Sequence, residues 1–278
     1  MNLDFRTLRR GFRAGSLLAV AAIAAVLWGC GKDNVASPQR VPLTLEAQGV
    51  GSATQHFSTA AALSGTLAQD TIPVTFTRAL IVTRDIRFVL PDTPEVGDTL
   101  GESDSTGEAE NDSTDAHESD GGGQVRFHGP FVIDLLAGSA QPLGTQMVPA
   151  GVYSQVMGHL QALQAGDPGA SQYPDLVGAT ILLEGDIAGA GGGHFVYTAR
   201  IDDEFVIHGS FSVQGSKPVT SFLVFDLSKM LVDRSGHFLD PRVTTNDFAI
   251  RQAIRHAIKV GMDANKNGEP DDNLTESD

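Results

Sequence analysis

The middle of the chain consists of short apolar or alternating runs that are separated by glycine, proline and aspartate. In residues 79–90 most apolar side chains fall on one parity, with Arg84 as the interruption, and residues 194–201 alternate in a similar way. Successive side chains of a strand point to opposite faces, so this pattern is typical of strands with one buried side. The sequence therefore predicts strands over residues 41–46, 74–77, 79–90, 125–136, 151–160, 177–184, 194–201, 205–213 and 220–225.

Turn-forming residues lie between these runs. Residues 189–193 are rich in glycine and have the composition of a hairpin tip, while residues 202–203 and 215–216 can also turn the chain. Residues 149–151 are typical of a turn that leads into a strand, where Tyr153 could pack into the core and cap a loop with its hydroxyl. Regular helices between the strands are missing. The combination predicts a mainly β fold, an antiparallel β-sandwich or a partly open barrel, and disfavours a doubly wound α/β sheet.

One segment near the C-terminus has helical periodicity instead. From Ile250 to Ile258 apolar residues recur at three- and four-residue spacing, after good N-cap residues at 245–247. This spacing predicts one amphipathic helix over about 247–260, with Gly261 as its stop. The other side of the helix carries three basic residues spaced by four, which form either a solvated face or a docking stripe for the acidic loop at 95–123 or for an anionic surface: Arg251, Arg255 and Lys259.

Composition narrows the classes of partner. The chain has 278 residues, with 19 Lys and Arg against 34 Asp and Glu, a formal net charge of −15 and a single cysteine. Strong acidity argues against a nucleic acid as the main partner, because its phosphate backbone is also negative. One cysteine excludes an internal disulfide, a zinc site built on cysteine pairs and a c-type haem motif. The hydrophobic fraction of 41% is ordinary for a globular chain that buries a core.

The first thirty residues have the pattern of a secretion signal. Residues 1–15 contain four arginines and one aspartate, and residues 17–27 form an apolar run of eleven residues, whereas a membrane-spanning helix needs about twenty. The run ends in Leu27-Trp28-Gly29-Cys30, which resembles the lipobox of bacterial lipoproteins. That resemblance implies cleavage of residues 1–29, covalent lipid on Cys30 and a tether over residues 30–40. An ordinary signal peptide with an unrelated cysteine is the alternative.

The same resemblance implies a stable membrane anchor, since several acyl chains hold a protein firmly where one does not. Glycine, and not aspartate, follows Cys30, which favours the outer membrane of a bacterium over retention at the inner one. We therefore expect the protein in the cell envelope, on either the periplasmic or the surface face.

Most of the negative charge belongs to two segments. Loss of residues 1–29 would remove four arginines and one aspartate, which deepens the net charge from −15 to −18. Residues 95–120 hold ten acidic side chains and no Lys or Arg, and residues 263–278 hold six acidic side chains and one lysine. We predict that 95–123 is a disordered insertion in a single domain over 41–262, because it has too few apolar residues to offset its ordering entropy. A low-affinity collector of divalent cations or basic partners is the alternative.

The acidic tail at 263–278 begins with a pattern that resembles the calcium loops of EF-hands and thrombospondin-type repeats. Side chains that carry oxygen occupy its first, third, fifth and ninth places, and a glycine that permits a sharp turn occupies the sixth. Leucine occupies the twelfth place, where an EF-hand has a bidentate glutamate, so Asp272 or Glu276 would have to substitute. We expect a weak, extracellular-type calcium site, with a flexible polar tail as the alternative. The expected ligands are Asp263, Asn265, Asn267, Asp271 and Asp272, with the backbone carbonyl of Glu269.

The sequence contains none of the common catalytic motifs, namely G-x-S-x-G, H-E-x-x-H, a Walker sequence or a dinucleotide-binding arrangement. This absence favours a protein that is not an enzyme. Residues 202–204 are better explained as a tight acidic turn than as catalytic carboxylates. Four histidines could meet across a sheet as a metal site, although isolated histidines on strands are commoner: His128, His159, His194 and His208.

The order of these features resembles that of uncharacterised β-sandwich lipoproteins of the bacterial envelope. Besides the lipobox, the resemblance rests on residues 129–136, a Pro-Ala-Gly-x-Tyr strand at 149–153, a strand at 223–229, the helix and the Asp/Asn-Gly tail, and it covers most of residues 70–272. It implies a lipid-anchored binding or structural module with no established activity. The partner would be another envelope protein or a surface glycan. An envelope hydrolase or a metal-carrier, with a site assembled from distant strands, is the competing class.

Overall fold

The computed structural model describes residues 39–58, 71–91, 124–215, 217–263, 265, 267–271 and 274–277. Cys30, the tether up to residue 38, the acidic insertion at 95–123 and Asp272 lie outside these residues. One helix, α1 (Asp247–His256), and two single 3₁₀ turns, Pro174–Leu176 and Thr244–Asn246, are present in the described part. The strands are β1 (Arg40–Val50), β2 (Thr54–Ser58), β3 (Thr71–Val89), β4 (Gln124–Phe127), β5 (Phe131–Asp134), β6 (Gln141–Pro149), β7 (Gly151–Leu160), β8 (Ile181–Ile187), β9 (Gly193–Ala199), β10 (Asp203–Val213), β11 (Val219–Asp226), β12 (Ile258–Met262) and β13 (Thr275–Glu276).

The described strands form two sheets. One sheet has five strands in the order β13-β12-β11-β1-β6, and the other has eight, in the order β10-β7-β3-β8-β9 with β2, β4 and β5 also paired to β3. The pairs are antiparallel, except that β1 runs parallel to β11. The mainly β class and the antiparallel β-sandwich that the sequence predicts are confirmed, and the sheets do not close into a barrel.

Strand β1 shows how the sheets make one core. Its residues Val41, Leu43, Leu45 and Ala47 are at most 1% exposed, while the residues between them are half-buried. This alternation with a period of two places one face of β1 in the main apolar cluster, which draws residues from both sheets. Burial of each such aliphatic side chain stabilises the fold by roughly 1.5–3 kcal/mol.

Aromatic side chains join the strands around β3. The ring of Phe88 meets Phe127 of β4 and Tyr153 of β7 edge to face, with centroids 5.9 and 6.1 Å apart. The hydroxyl of Tyr153 donates a 2.9 Å hydrogen bond to the carbonyl of Pro149, so the predicted loop cap is confirmed. Because the phenol is buried, its pKa rises to about 12.

Strand β3 differs from the predicted pattern because it is covered on both faces along part of its length. Leu80 and Val82 lie in a second, smaller apolar cluster, which the segment between β7 and β8 covers with Leu163 and Leu176. The five consecutive residues from Ala79 to Thr83 are therefore buried, which hides the alternation. The runs predicted at 74–77 and 79–90 are one strand of 19 residues.

Other strand predictions also need correction. The predicted run at 125–136 is two strands, β4 and β5, because Pro130 between them has no N–H to continue a ladder. Strands β2, β6 and β13 were not predicted from the sequence. In β6 the exposed residues Thr145, Gln146 and Met147 are consecutive, so its sequence lacks the alternation that identifies a strand.

The predicted helix over about 247–260 is too long at its C-terminal end. Helix α1 ends at His256, and Ile258–Met262 form β12, in which Ile258 and Val260 pair with Phe225 and Leu223. Ile258 fits the helical spacing and the strand alternation equally, and pairing with β11 decides between them. Gly261 is not the helix stop: it lies in β12, where an added Cβ would come within 2.9 Å of side-chain atoms of Pro270 and Leu274.

No helix among the described residues has the length and apolarity that crossing a bilayer requires.

Candidate metal centre

The C-terminal loop from Asp263 to Asp271 is attached to the five-stranded sheet at both of its ends. The Asp263 N–H donates a 3.0 Å bond to the carbonyl of Thr220 at the start of β11, and the Asp271 N–H donates a 3.0 Å bond to the carbonyl of Met262. The side chain of Asp263 lies at the base of the loop, and the residue is only 6% exposed. Residues at the first and ninth places of the predicted calcium loop are therefore both held at the end of β12.

Backbone N–H groups hold the side-chain oxygens of the loop. Asp263 uses both carboxylate oxygens: Oδ1 accepts from the N–H of Asn267 at 3.0 Å, and Oδ2 accepts from the N–H of Gly268 at 3.0 Å. The Asn265 Oδ1 also accepts from Asn267 N–H at 2.9 Å, and the Asn267 Oδ1 accepts from Glu269 N–H at 2.9 Å. Each bond spans two to five residues, so these polar side chains fold the loop onto itself.

Glycine at the sixth place is required by the backbone. Gly268 has a φ of +81°, in the left-handed region that glycine adopts without strain. The turn there brings the chain back towards β12, and the Asn265 amide donates a 2.6 Å bond to Asp271 Oδ1. The first, third, fifth and ninth side chains of the predicted pattern therefore lie in one small loop.

Oxygen atoms of this kind are the ligands that Ca²⁺ prefers. Within the described residues, no group of three or more His, Cys, Asp or Glu side chains is arranged to hold a metal ion. Amide and backbone oxygens would therefore supply much of any calcium coordination, beside the carboxylates of Asp263 and Asp271. Of the other predicted ligands, Glu269 is exposed and would contribute its carbonyl, and Asp272 lies outside the described residues.

The residues after the loop return to the sheet. Strand β13 pairs with β12, and Glu276 binds the ammonium of Lys259 at 3.0 Å. The hydroxyl of Ser277 donates a 2.6 Å bond to the carbonyl of Arg255 at the end of α1. Glu276 would therefore have to leave this ion pair to substitute for the missing twelfth-place ligand.

The three basic residues of the predicted stripe on α1 and β12 are each paired with a carboxylate. Arg251 binds Asp247 at 2.6 Å, and Arg255 binds Asp203 at 2.7 Å. Lys259 lies between two carboxylates, at 3.3 Å from Asp226 and 3.0 Å from Glu276. Arg255 and Lys259 thus bind carboxylates of neighbouring strands, which favours a structural role for these basic residues over a docking stripe.

The four candidate histidines are not brought together into a metal site. His128 lies 3.3 Å from Asp85, and His194 lies 3.4 Å from Asp186. His159 lies 3.1 Å from Asp202. Asp202 and Asp203 thus bind side chains of β7 and α1, as expected for a structural turn between β9 and β10.

A groove of about 880 Å³ runs between α1 and the turn at Asp233–His237, and the sequence analysis did not identify it. Phe248 on α1 is 74% exposed at its rim, while Val232 and Ala253 belong to its apolar lining. The carboxylate of Asp233 is bonded to the N–H groups of Ser235 and His237 at 2.8 and 2.9 Å. An exposed aromatic ring on an otherwise polar helix surface is the signal that could have indicated this groove.

A buried tyrosine fixes the start of α1 to the eight-stranded sheet. Tyr197 of β9 donates a 3.0 Å hydrogen bond to Asp247. Burial, together with this hydrogen bond to the carboxylate, raises the pKa of Tyr197 well above its usual value. Tyr197 therefore remains protonated and serves as a structural donor.

Comparison with known proteins gives no relative for this chain: no protein-family model, no curated protein and no solved structure matches it.

Proposed function

We propose that this chain is a lipid-anchored module of the bacterial cell envelope, placed at the outer membrane, that acts by binding and not by catalysis, and that its C-terminal loop is a weak calcium site. The binding partner is another envelope protein or a surface glycan. The fold supports a binding or structural role, because β-sandwich domains present loops at the ends of a rigid pair of sheets.

The anchor rests on the N-terminal sequence. Four arginines precede an apolar run of eleven residues, and the only cysteine of the chain, Cys30, follows it directly after Gly29. The first described residue, Gln39, is nine residues further along the chain. Nine residues span at most about 32 Å when fully extended, so an anchor on Cys30 would keep the fold close to the bilayer surface.

The calcium site rests on the geometry of Asp263. Its two carboxylate oxygens are each held by a backbone N–H of the loop, and the residue is almost buried. The folded loop thus places Asp263, Asn265, Asn267 and Asp271 together before any ion binds, which lowers the ordering cost of coordination. The mixture of amides and carboxylates, in place of four carboxylates, favours the affinity range of extracellular modules, with a Kd of about 10⁻⁴–10⁻³ M.

Calcium in this loop would fasten the C-terminal segment to the sheet. Asp263 follows β12 directly, and the residues after Asp271 form β13 on the edge of the same sheet. An ion that joins the first and ninth places would close the loop between these two strands. Glu276 and Ser277 of that segment also line the groove beside α1.

The anchor is tested by metabolic labelling with a radioactive fatty acid in a bacterium that expresses the full chain. We expect label on the wild type and on the control Trp28→Ala, which keeps Cys30, and none on Cys30→Ala. Label that persists in Cys30→Ala, or a wild type that takes up none, contradicts the anchor.

The calcium site is tested by calorimetric titration of the full chain in neutral detergent. We expect binding heat for the wild type and for the control Asp233→Ala, whose carboxylate also caps a turn. Asp263→Ala should give no binding heat. Equal heat from the wild type and Asp263→Ala, or none from either, would falsify the calcium proposal.

A further inference from the structure

Two arginines lie directly opposite each other on the eight-stranded sheet. Arg87 of β3 and Arg126 of β4 are register partners in an antiparallel pair. The neighbours of Arg87, Ile86 and Phe88, are buried in the core, and so are the neighbours of Arg126. Both guanidinium groups therefore extend from the outer face of the sheet, away from the core.

This arrangement is unfavourable for the chain by itself. Side chains that are directly opposite on antiparallel strands have Cβ atoms about 4.5–5.5 Å apart, and like charges there repel. Arg87 is half-buried, and its Nε atom is fully buried with no hydrogen-bond partner. Among the residues that the structure describes, no carboxylate forms an ion pair with either arginine.

Neighbouring basic groups at this end of β3 are matched by carboxylates. Arg84, three residues before Arg87, pairs with Asp167, and His128, two residues after Arg126, lies 3.3 Å from Asp85. On the β3–β4 ladder, Arg87 and Arg126 are thus the basic residues without an acidic partner among the described residues. The unsatisfied Nε is not peculiar to Arg87, because Arg84 and Arg251 share it. Two opposed arginines without a carboxylate nevertheless leave like charges unmatched, which indicates a partner from outside the described residues.

We propose that Arg87 and Arg126 form a binding site for an oxyanion of the phosphate class. A guanidinium presents its N–H donors as a planar fork that matches two oxygens of a phosphate. A phosphate between the two arginines converts their repulsion into two attractive contacts. A carboxylate carries fewer acceptor oxygens and less charge, and it satisfies one fork more readily than two.

The position of the pair indicates two sources of phosphate. Val89 and Gln124 form the last pair at this end of the β3–β4 ladder, about 7 Å beyond Arg87. Gly151 packs against Leu90 just past this end, and the adjacent Ala150 donates a 2.7 Å bond to the carbonyl of Gln39. The site therefore lies at the end of the fold that holds Gln39, the first described residue. An anionic lipid headgroup is one source, which rests on the proposed anchor, and free phosphate is the other, which does not.

The site is tested by thermal unfolding of the full chain in neutral detergent without calcium, with inorganic phosphate against chloride at equal ionic strength. We expect phosphate to raise the unfolding midpoint of the wild type and of the control Arg40→Gln, an exposed arginine at the same end of the fold. For Arg126→Gln we expect at least a tenfold weaker phosphate dependence. Arg87→Gln should have the same effect. Because Arg126 is exposed and unbonded, we expect Arg126→Gln to fold even if Arg87→Gln does not.

Two results would overturn the site: phosphate and chloride acting equally on the wild type, or Arg126→Gln responding to phosphate as Arg40→Gln does. Addition of phosphatidylglycerol to the micelles identifies the source. A lipid that suppresses the phosphate effect in the wild type supports headgroup binding. A phosphate effect that the lipid leaves unchanged supports free phosphate and overturns the headgroup. Neither result depends on acylation of Cys30 or on calcium, so a failure of those proposals is recognised separately.

Discussion

The turn at Asp233 and the loop at Asp263 share a pattern of hydrogen bonds to one aspartate, but they differ in the side chains that surround it. In both, one aspartate accepts hydrogen bonds from two backbone N–H groups that follow it, and a glycine with a φ near +80° turns the chain, Gly236 in one and Gly268 in the other. At Asp233 the second oxygen lies 3.3 Å from the imidazole of His237. At Asp263 the two backbone N–H groups are shared between the two oxygens, and two asparagine oxygens and Asp271 lie in the same loop.

In the turn, the partners of the aspartate are all groups of the same turn, whereas the loop brings several side-chain oxygen atoms together. The Asp233 carboxylate lies beside the His237 imidazole, and no other side-chain oxygen of residues 233–237 accepts a hydrogen bond within the turn. The Asp263 loop has no basic side chain among its described residues, and backbone N–H groups hold the side-chain oxygens of Asp263, Asn265 and Asn267. Under the calcium proposal, this oxygen-rich loop gains from a cation, whereas the Asp233 turn does not.

The largest contrast is expected when each aspartate is removed. Asp263→Ala removes an almost buried carboxylate that accepts two backbone N–H groups, which should cost about 2 kcal/mol of unfolding free energy, and it removes any calcium response. Asp233→Ala should cost about 1 kcal/mol or less, because its carboxylate is 37% exposed and water can replace it as the acceptor, and should keep the calcium response. Urea unfolding with calcium and with a chelator measures both. Equal calcium responses in the two variants would contradict the assignment.

Substitution of the two turn glycines separates backbone strain from ion binding. Gly268→Ala and Gly236→Ala each force a Cβ into the left-handed region, where neither would meet another atom within 4 Å. Each should therefore lose about 1–2 kcal/mol from backbone strain. Only Gly268→Ala should also weaken calcium binding, by roughly tenfold, since a loss of about 1.4 kcal/mol in the geometry of the site corresponds to that factor. Calorimetry on the two variants decides, and weaker binding in Gly236→Ala would contradict the distinction.

Acid provides a smaller test at the Asp233 turn. The backbone N–H of His237 is the main cause that holds the pKa of Asp233 below its usual value, with the N–H of Ser235 and the imidazole of His237 adding to it. Because the folded-state pKa is lowered, the stabilisation is complete above the usual value near 3.8 and is lost as pH falls through the folded-state pKa. The melting temperature should fall in acid by slightly less in Asp233→Asn than in the wild type. If the melting temperatures of the wild type and Asp233→Asn fall equally in acid, the lowered pKa of Asp233 does not contribute to the pH dependence of stability.

The sequence was sufficient for strands whose alternation survives in the fold. Residues 151–160 are one strand as predicted, and Tyr153 caps the preceding turn through Pro149. Prediction failed where tertiary contacts decide. Ile258 and Val260 fit both a helix and a strand, and their pairing with β11 makes them a strand. The residues from Ala79 to Thr83 are buried on both faces, because a segment whose position cannot be predicted from the sequence covers the second face.

The candidate loop could be predicted because its ligand types lie within nine residues, so spacing along the chain was enough to bring them together. Its attachment could not be predicted, because the bonds to Thr220 and the packing of Pro270 on Gly261 depend on strand pairing. The Arg87–Arg126 pair was also invisible in the sequence. The two residues are 39 positions apart, and only the register of β3 with β4 makes them neighbours.

The most direct test of the calcium loop is amide hydrogen exchange over residues 263–277 in the full chain, with calcium and with a chelator. We predict that calcium slows exchange at Asn267, Gly268 and Glu269, whose N–H groups bond to the loop oxygens, and leaves exchange over residues 233–239 unchanged. Exchange at 263–277 that is the same with and without calcium would contradict the account.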